Sequence, residues 1–248
     1  MYRKVLAALD NSEPSLLALR MAVALASGGG TVLGFHAVAA RLHEDRFRQM
    51  EPGLPEPYQQ ETELHRQRSL HDTLISRGLG LIAHSYLDRA QAVCQEAGVP
   101  FERKLGEGKN YATVLQELQD DGYDLVALGA TGLGASRHAL LGSVCERVLR
   151  YACTDVLIGR GNLDGRGIMA ATDGSPASFR AVEKAVALGE ALEEKVEVAS
   201  VFDPHFHVVA FNSIAGVLSE EAGKVFNFRD QERLHEEIID KGLEKLYT

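Results

Sequence analysis

No apolar run in this sequence approaches the ~20 residues that a helical membrane span needs, so a membrane-spanning helix is not expected. Cysteine is scarce. Cys94, Cys145 and Cys153 are odd in number and match no metal-ligand spacing, which points to reduced thiols. Positive charge is also short: 26 Lys and Arg stand against 35 Asp and Glu, a net charge of −9. A nucleic-acid partner would need a basic surface to meet its phosphates, so that class is disfavoured. An export signal is not expected from the N-terminal residues either. The apolar residues 5–9 are too few and are interrupted at once by Asp10. The expected location is the cytoplasm, and the length of 248 residues allows one large domain or two small ones.

The most informative stretch is residues 124–160. Asp124-Leu125-Val126-Ala127-Leu128 is a short apolar run, as a buried parallel strand should be, and it ends at Gly129. Gly132, Gly134 and the pair Gly142-Ser143 follow. Val144, Val148, Tyr151 and Ala152 then recur with helical spacing, and Val156-Leu157-Ile158 makes a second buried strand closed by Gly159. Strand, glycine loop, helix and strand together point to anion binding. Glycines let backbone N–H groups approach a ligand, and the start of a helix offers unpaired N–H groups and a positive dipole end. Two familiar phosphate loops are ruled out by spacing. Ala135-Ser136 stands where a Walker A loop needs Lys-Ser/Thr, and Arg137 stands where the dinucleotide fingerprint needs its third glycine. What remains is Gly129-x2-Gly132-x9-Gly142-Ser143.

Residues 5–9 read as the first strand, with Asp10 at its C-terminal end, where open α/β sheets bind ligands. Asp10 is placed to hold ribose hydroxyls or a phosphate-bound Mg ion. Ser12 is a good N-cap, with Pro14 in the first helical turn. Residues 31–38 form a second strand. Residues 40–58 are charged and carry Pro52, Pro55 and Pro57. They read as an irregular solvated excursion, with a lid over the ligand as the functional alternative. A long helical region covers 59–96, residues 99–105 alternate like an edge strand, and 111–118 form a short helix. Strands alternating with helices imply a mostly parallel sheet with helices on both faces.

The spacing of the glycine loop resembles the nucleotide-binding motif of the ATP-binding branch of the universal stress protein family. Leu9-Asp10-x-Ser12 and the closing Val156-Leu157-Ile158-Gly159-Arg160 are similar to the same family. The resemblance implies an open five-stranded parallel sheet of order 3-2-1-4-5. It implies ATP or another adenine nucleotide as ligand, and a homodimer formed through the last strand. The implied nucleotide site comprises Ala8, Leu9, Asp10, Ala37, Val38, Gly129, Thr131, Gly132, Arg137, Gly142, Ser143 and Val144, with Ala37 and Val38 towards adenine.

After a glycine-rich linker at 161–167 the pattern returns. Thr172-Asp173-Gly174-Ser175 echoes Leu9-Asp10-Asn11-Ser12 at an offset of 163, and Leu234-His235-Glu236 echoes Leu70-His71-Asp72 at 164. Residues 1–163 are therefore expected to form a complete domain and 164–248 a partial second copy, which stops at Thr248 within a helical pattern and has no glycine loop. His205 and His207 have no third ligand nearby, and Cys145 and Cys153 are expected to pack on the helix after Gly142. The expected function is an adenine-nucleotide-binding regulatory protein of the stress response. No Walker lysine, arginine finger or general base is legible, so slow ATP hydrolysis is the most that is expected. The alternatives are a dimerisation module without nucleotide and, less favoured, an enzyme of the adenine-nucleotide α-hydrolase-like group. The latter needs a glycine-serine loop after the first strand, and Asp10-Asn11-Ser12-Glu13 lacks it.

Overall fold

The structure is a computed structural model that describes residues 2–134, 139–162 and 167–201, together with Arg233 and Asp240. By its internal contacts the chain divides into two units, Met1–Leu163 and Asp164–Thr248.

In the first unit, strands β1 (Lys4–Ala8), β2 (Thr31–Val38), β3 (Phe101–Glu107), β4 (Leu125–Gly129) and β5 (Asp155–Gly159) form one sheet in the order β3-β2-β1-β4-β5. Every neighbouring pair is parallel. This is the expected 3-2-1-4-5 topology. Side chains alternate between faces, so each buried strand feeds two cores. On one face Leu6, Leu33, Phe35, Val126 and Leu128 pack with Val114 of helix α4 (Asn110–Asp120) and with Cys145 and Val148 of α5 (Ser143–Tyr151). The other face carries α1 (Glu13–Ala26) against β1, β4 and β5, and α3 (Glu61–Glu96) against β2 and β3. Phe35, Leu6, Leu19 and Leu87 are fully buried, each contributing about 1.5–3 kcal/mol relative to exposure.

The close packing of α1 depends on a strand-end glycine. A Cβ on Gly159 would meet Pro14 O at 2.4 Å and Ala18 N at 2.5 Å, so a side chain there would push the helix off the sheet. Ser12 caps α1 by accepting the Ser15 N–H, and Pro14 sits in its first turn, as the sequence predicts. β3 lies at the sheet edge, as its alternation and Pro100 suggest.

Residues 40–58 depart from the expected irregular excursion. They form helix α2 (Ala40–Met50) and two short 3-10 turns, Glu51–Gly53 and Glu56–Tyr58. The prolines fall only after α2 has ended, at the openings of the 3-10 turns, where a missing N–H costs nothing. α2 has no buried residue of its own and is held by α3. The Phe47 ring stacks on His71 with centroids 4.5 Å apart, and Arg68 makes paired bonds of 2.8 and 2.7 Å to Glu51. The same guanidinium holds the Glu51 carboxyl below its usual range. α3 runs unbroken through Gly78 and Gly80. Its buried residues Ala83, Leu87, Ala90 and Cys94 form a stripe at i, i+4, i+7 and i+11, which anchors the C-terminal half of the helix on the sheet.

In the second unit, β6 (Ile168–Ala171) and β7 (Val196–Ala199) pair in parallel and are bridged by α6 (Pro176–Leu192). Ala170, Val182 and Ala185 form its small core, with Ile168, Val196 and Val198 packed around it. His205, His207 and the helical pattern after Leu234 lie outside the described residues, apart from Arg233 and Asp240. Among the described residues no helix is long and apolar enough to cross a membrane.

Candidate functional site

Parallel βαβ units place every strand-to-helix turn at the same end of the sheet, and a crevice opens where the strand order reverses. Here the reversal lies between β1 and β4, whose pairing brings Ala8 opposite Leu128. A cavity of about 610 Å³ opens there, within the usual size of ligand sites. It is lined by Ala8, Leu9, Asp10, Ala37, Gly129, Thr131, Gly132, Gly142, Ser143 and Val144, so the structure brings these expected site residues together. Val38 does not line it. The Val38 carbonyl instead accepts the Gly108 N–H at 2.8 Å. Arg137 lies outside the described residues, as does His138.

Asp10 follows β1 directly. Its Oδ1 accepts the Ser12 N–H at 3.0 Å and lies 2.6 Å from the Ser12 hydroxyl, closing a tight turn in which Asn11 has φ of 61°. The Ser12 hydroxyl also lies 3.3 Å from the Thr131 carbonyl and so links the turn after β1 to the loop after β4. With Oδ1 engaged, Asp10 turns Oδ2 towards Gly132, where a Cβ would come within 2.5 Å of it. A side chain at 132 would thus displace the Asp10 carboxylate from its place in the crevice. The loop is held further by Gly142 N–H on the Ala130 carbonyl at 2.7 Å and Ala130 N–H on the Gly159 carbonyl at 2.9 Å.

Gly142 is the N-cap of α5 and supplies no side-chain bond. Ser143 and Val144, which carry the first N–H groups of the helix, line the cavity, and among the described residues no side chain caps them. An anionic group fits there electrostatically. Two chemically different ends result: a donor-rich end at β4 and α5, and an acceptor carboxylate at β1.

The remaining wall was not foreseen. Leu79, Ile82 and Tyr86 of α3, His36 of β2 and Asn110 at the start of α4 also line the cavity, whereas residues 40–58 do not. A lid formed by 40–58 is therefore replaced by a wall from α3. The signal available for His36 and Asn110 was position: a polar residue near the C-terminal end of a buried strand, or just after one, lies at the ligand end of such a sheet. Of the two thiols expected to pack, Cys145 is buried beside the cavity, but Cys153 is exposed because α5 ends at Tyr151. Among the described residues no group of three or more His, Cys, Asp or Glu converges as a metal site.

Fold and crevice together define an open α/β protein with a ligand cleft at its topological switch point. The chain belongs to the universal stress protein family, whose family model matches residues 1–160. Two solved structures agree on the fold. A universal stress protein from Archaeoglobus fulgidus DSM 4304 is 18% identical with a TM-score of 0.54, covering 86% of this chain and 72% of its own. The protein MJ0577 is 21% identical with a TM-score of 0.51, covering 65% of this chain and 99% of its own. A family protein from Arabidopsis thaliana, solved with AMP bound, is 16% identical with a TM-score of 0.40, covering 65% of this chain and 94% of its own. No curated protein matches the chain.

Proposed function

We propose that residues 1–163 bind an adenine nucleotide, ATP in the first instance, and that the chain acts as a nucleotide-responsive regulator in the stress response. The observation that carries this reading is the convergence on one cavity of the α5 N-terminus, the Asp10 carboxylate and Gly132, where an added Cβ would meet that carboxylate. Phosphates would take the N–H groups of the 129–144 loop and of Ser143 and Val144. Asp10 would take ribose hydroxyls or a nucleotide-bound Mg ion. Arg137 belongs to the same loop and is proposed as a further phosphate contact.

Calorimetric titration of ATP into wild-type and Gly142→Asp protein tests the reading. Gly142 has φ of −80° and ψ of 158°, which any residue adopts, and aspartate is a favoured N-cap. The variant should fold and lose ATP binding, because its carboxylate occupies the anion position. Unchanged affinity would remove the phosphate role of the loop. Mass spectrometry of nucleotides released from purified protein would identify the natural ligand.

The partial second copy at 164–248 is part of the same proposal. Its support is local geometry. Asp173 Oδ1 accepts the Ser175 N–H at 2.9 Å, Ser175 caps α6, and Gly174 has φ of 81°, each matching the Asp10 turn. One nucleotide per chain is expected, since this stretch has no glycine loop; equilibrium dialysis gives the stoichiometry. A homodimer through the β5 edge is expected as well, because an apolar edge strand is a pairing template, and sedimentation of the full chain tests it.

A further inference from the structure

We infer that His36 selects the base of the bound nucleotide, its Nε2 accepting a hydrogen bond from the 6-amino group of adenine. The inference rests on the nucleotide reading above and assigns a specificity-determining role within that site. His36 lies on β2 and lines the cavity, with its ring against Tyr86 of α3, which lines it too. The Tyr86 ring meets it edge-on, with centroids 5.2 Å apart and planes at 86°, which restrains its orientation.

His36 Nδ1 lies 2.5 Å from the carbonyl oxygen of Leu9. A carbonyl only accepts, so Nδ1 carries the proton. In the neutral imidazole this fixes the tautomer and leaves Nε2 as a lone-pair acceptor. Among the described residues nothing else hydrogen-bonds the ring, although it is half-buried. A half-buried acceptor on a cavity wall calls for a donor from the ligand.

The order of the strands says which part of the ligand supplies that donor. Phosphate donors gather at β4 and α5, Asp10 follows β1, and His36 and Ala37 belong to β2. Neighbouring strands are about 4.8 Å apart, so β2 lies about 10 Å from the phosphate end. That is the base end, and Leu79, Ile82 and Tyr86 give it a largely apolar wall suited to a ring. Adenine presents an N6–H donor at its 6-position, where hypoxanthine and guanine present an oxygen acceptor. Two acceptors facing one another leave both unpaired, and a site built around such a bond rejects the ligand lacking it.

Titration with ATP and with ITP, whose base carries oxygen at the 6-position, tests this on wild-type chain and on His36→Asn. The asparagine amide can keep the Nδ1-type bond to Leu9 O while placing nothing at Nε2. Wild type should prefer ATP over ITP by at least about tenfold. In His36→Asn the ATP affinity should fall to the ITP level, with the ITP affinity moving by less than about twofold. Equal binding of ATP and ITP by wild type would overturn the inference. So would an unchanged ATP preference in the variant, or an equal loss for both ligands, which would mean that His36 only supports Leu9. Wild type that binds neither nucleotide would overturn the nucleotide reading itself, and this inference with it.

Discussion

Asp10 and Gly132 are fitted to one another across the β1–β4 crevice: a Cβ on Gly132 would stand 2.5 Å from Asp10 Oδ2 and 3.7 Å from Cγ. Since Oδ1 is tied to Ser12, the carboxylate would relieve such a clash by turning Oδ2 away from the crevice. Gly132→Ala is therefore expected to cost little stability but about tenfold in ATP affinity, which is ~1.4 kcal/mol. Asp10→Ala alone should cost about one to two decades, since a hydrogen bond to a charged group contributes ~1.5–3 kcal/mol. In the Asp10→Ala background, Gly132→Ala should cost nothing further. A double-mutant cycle by calorimetry checks this, and additive losses would show that the two residues act independently.

Glu117 is 5% exposed and is answered from two sides. Lys104 Nζ lies 2.7 Å from its Oε2, and the Tyr123 hydroxyl donates to its Oε1 at 2.8 Å. Glu117→Ala leaves the buried Tyr123 hydroxyl without this acceptor, so a loss of ~1–3 kcal/mol is expected in urea unfolding. Glu117→Gln keeps an acceptor for Tyr123 and should cost less. Equal losses for both variants would place the effect in the ion pair with Lys104 and not in the Tyr123 hydrogen bond.

The thiols should react in two classes. Burial pushes the Cys94 thiol up to about 11 and raises that of Cys145, which keeps both as unreactive thiols at neutral pH, while Cys153 is exposed. A chromogenic disulfide reagent should modify one cysteine quickly in the native chain and all three after denaturation. Fast labelling of Cys94 in the native chain would contradict its place in the α3 core.

Asp173 gives a pH signature. Hydrogen bonds from Ser175, first from its side chain and then its backbone, with help from Ser178, hold the Asp173 carboxyl down at about 2. A depressed folded value means that the stabilisation is present above the ordinary carboxylate range near 4 and is lost as pH falls from there to about 2. A carbon-detected NMR titration should place its midpoint near 2, and Ser175→Ala should move it upwards. A midpoint near 4 in the wild-type chain would show that the turn does not hold the carboxylate.

The site was half legible because half of it is a backbone device. Gly129, Gly132, Gly142 and Asp10 mark positions where strands end and a helix begins, and those are set by local spacing. α2 was illegible for the opposite reason. It has no buried face of its own, and what holds it is the Phe47–His71 stack and the Glu51–Arg68 pair, whose partners are 24 and 17 residues apart in sequence. Cys153 was misjudged by a boundary: helical spacing continues to Ala152, but the helix itself ends at Tyr151.

Sequence alone determined the strands and the glycine loop, because buried strands and tight turns restrict which residues can occupy them; the order of the strands was implied by the family resemblance and is borne out by the sheet. Tertiary structure decided what faces the cavity. Leu79, Ile82 and Tyr86 share one helix with His71, which stacks on Phe47 of α2, and nothing in their spacing separates wall from arm. Their role arises because the stripe from Ala83 to Cys94 docks α3 on β2 and β3, bringing Tyr86 against His36, 50 residues earlier in the chain. The physical reason is that backbone conformation is chosen among near neighbours, while a cavity wall is chosen by how whole elements pack.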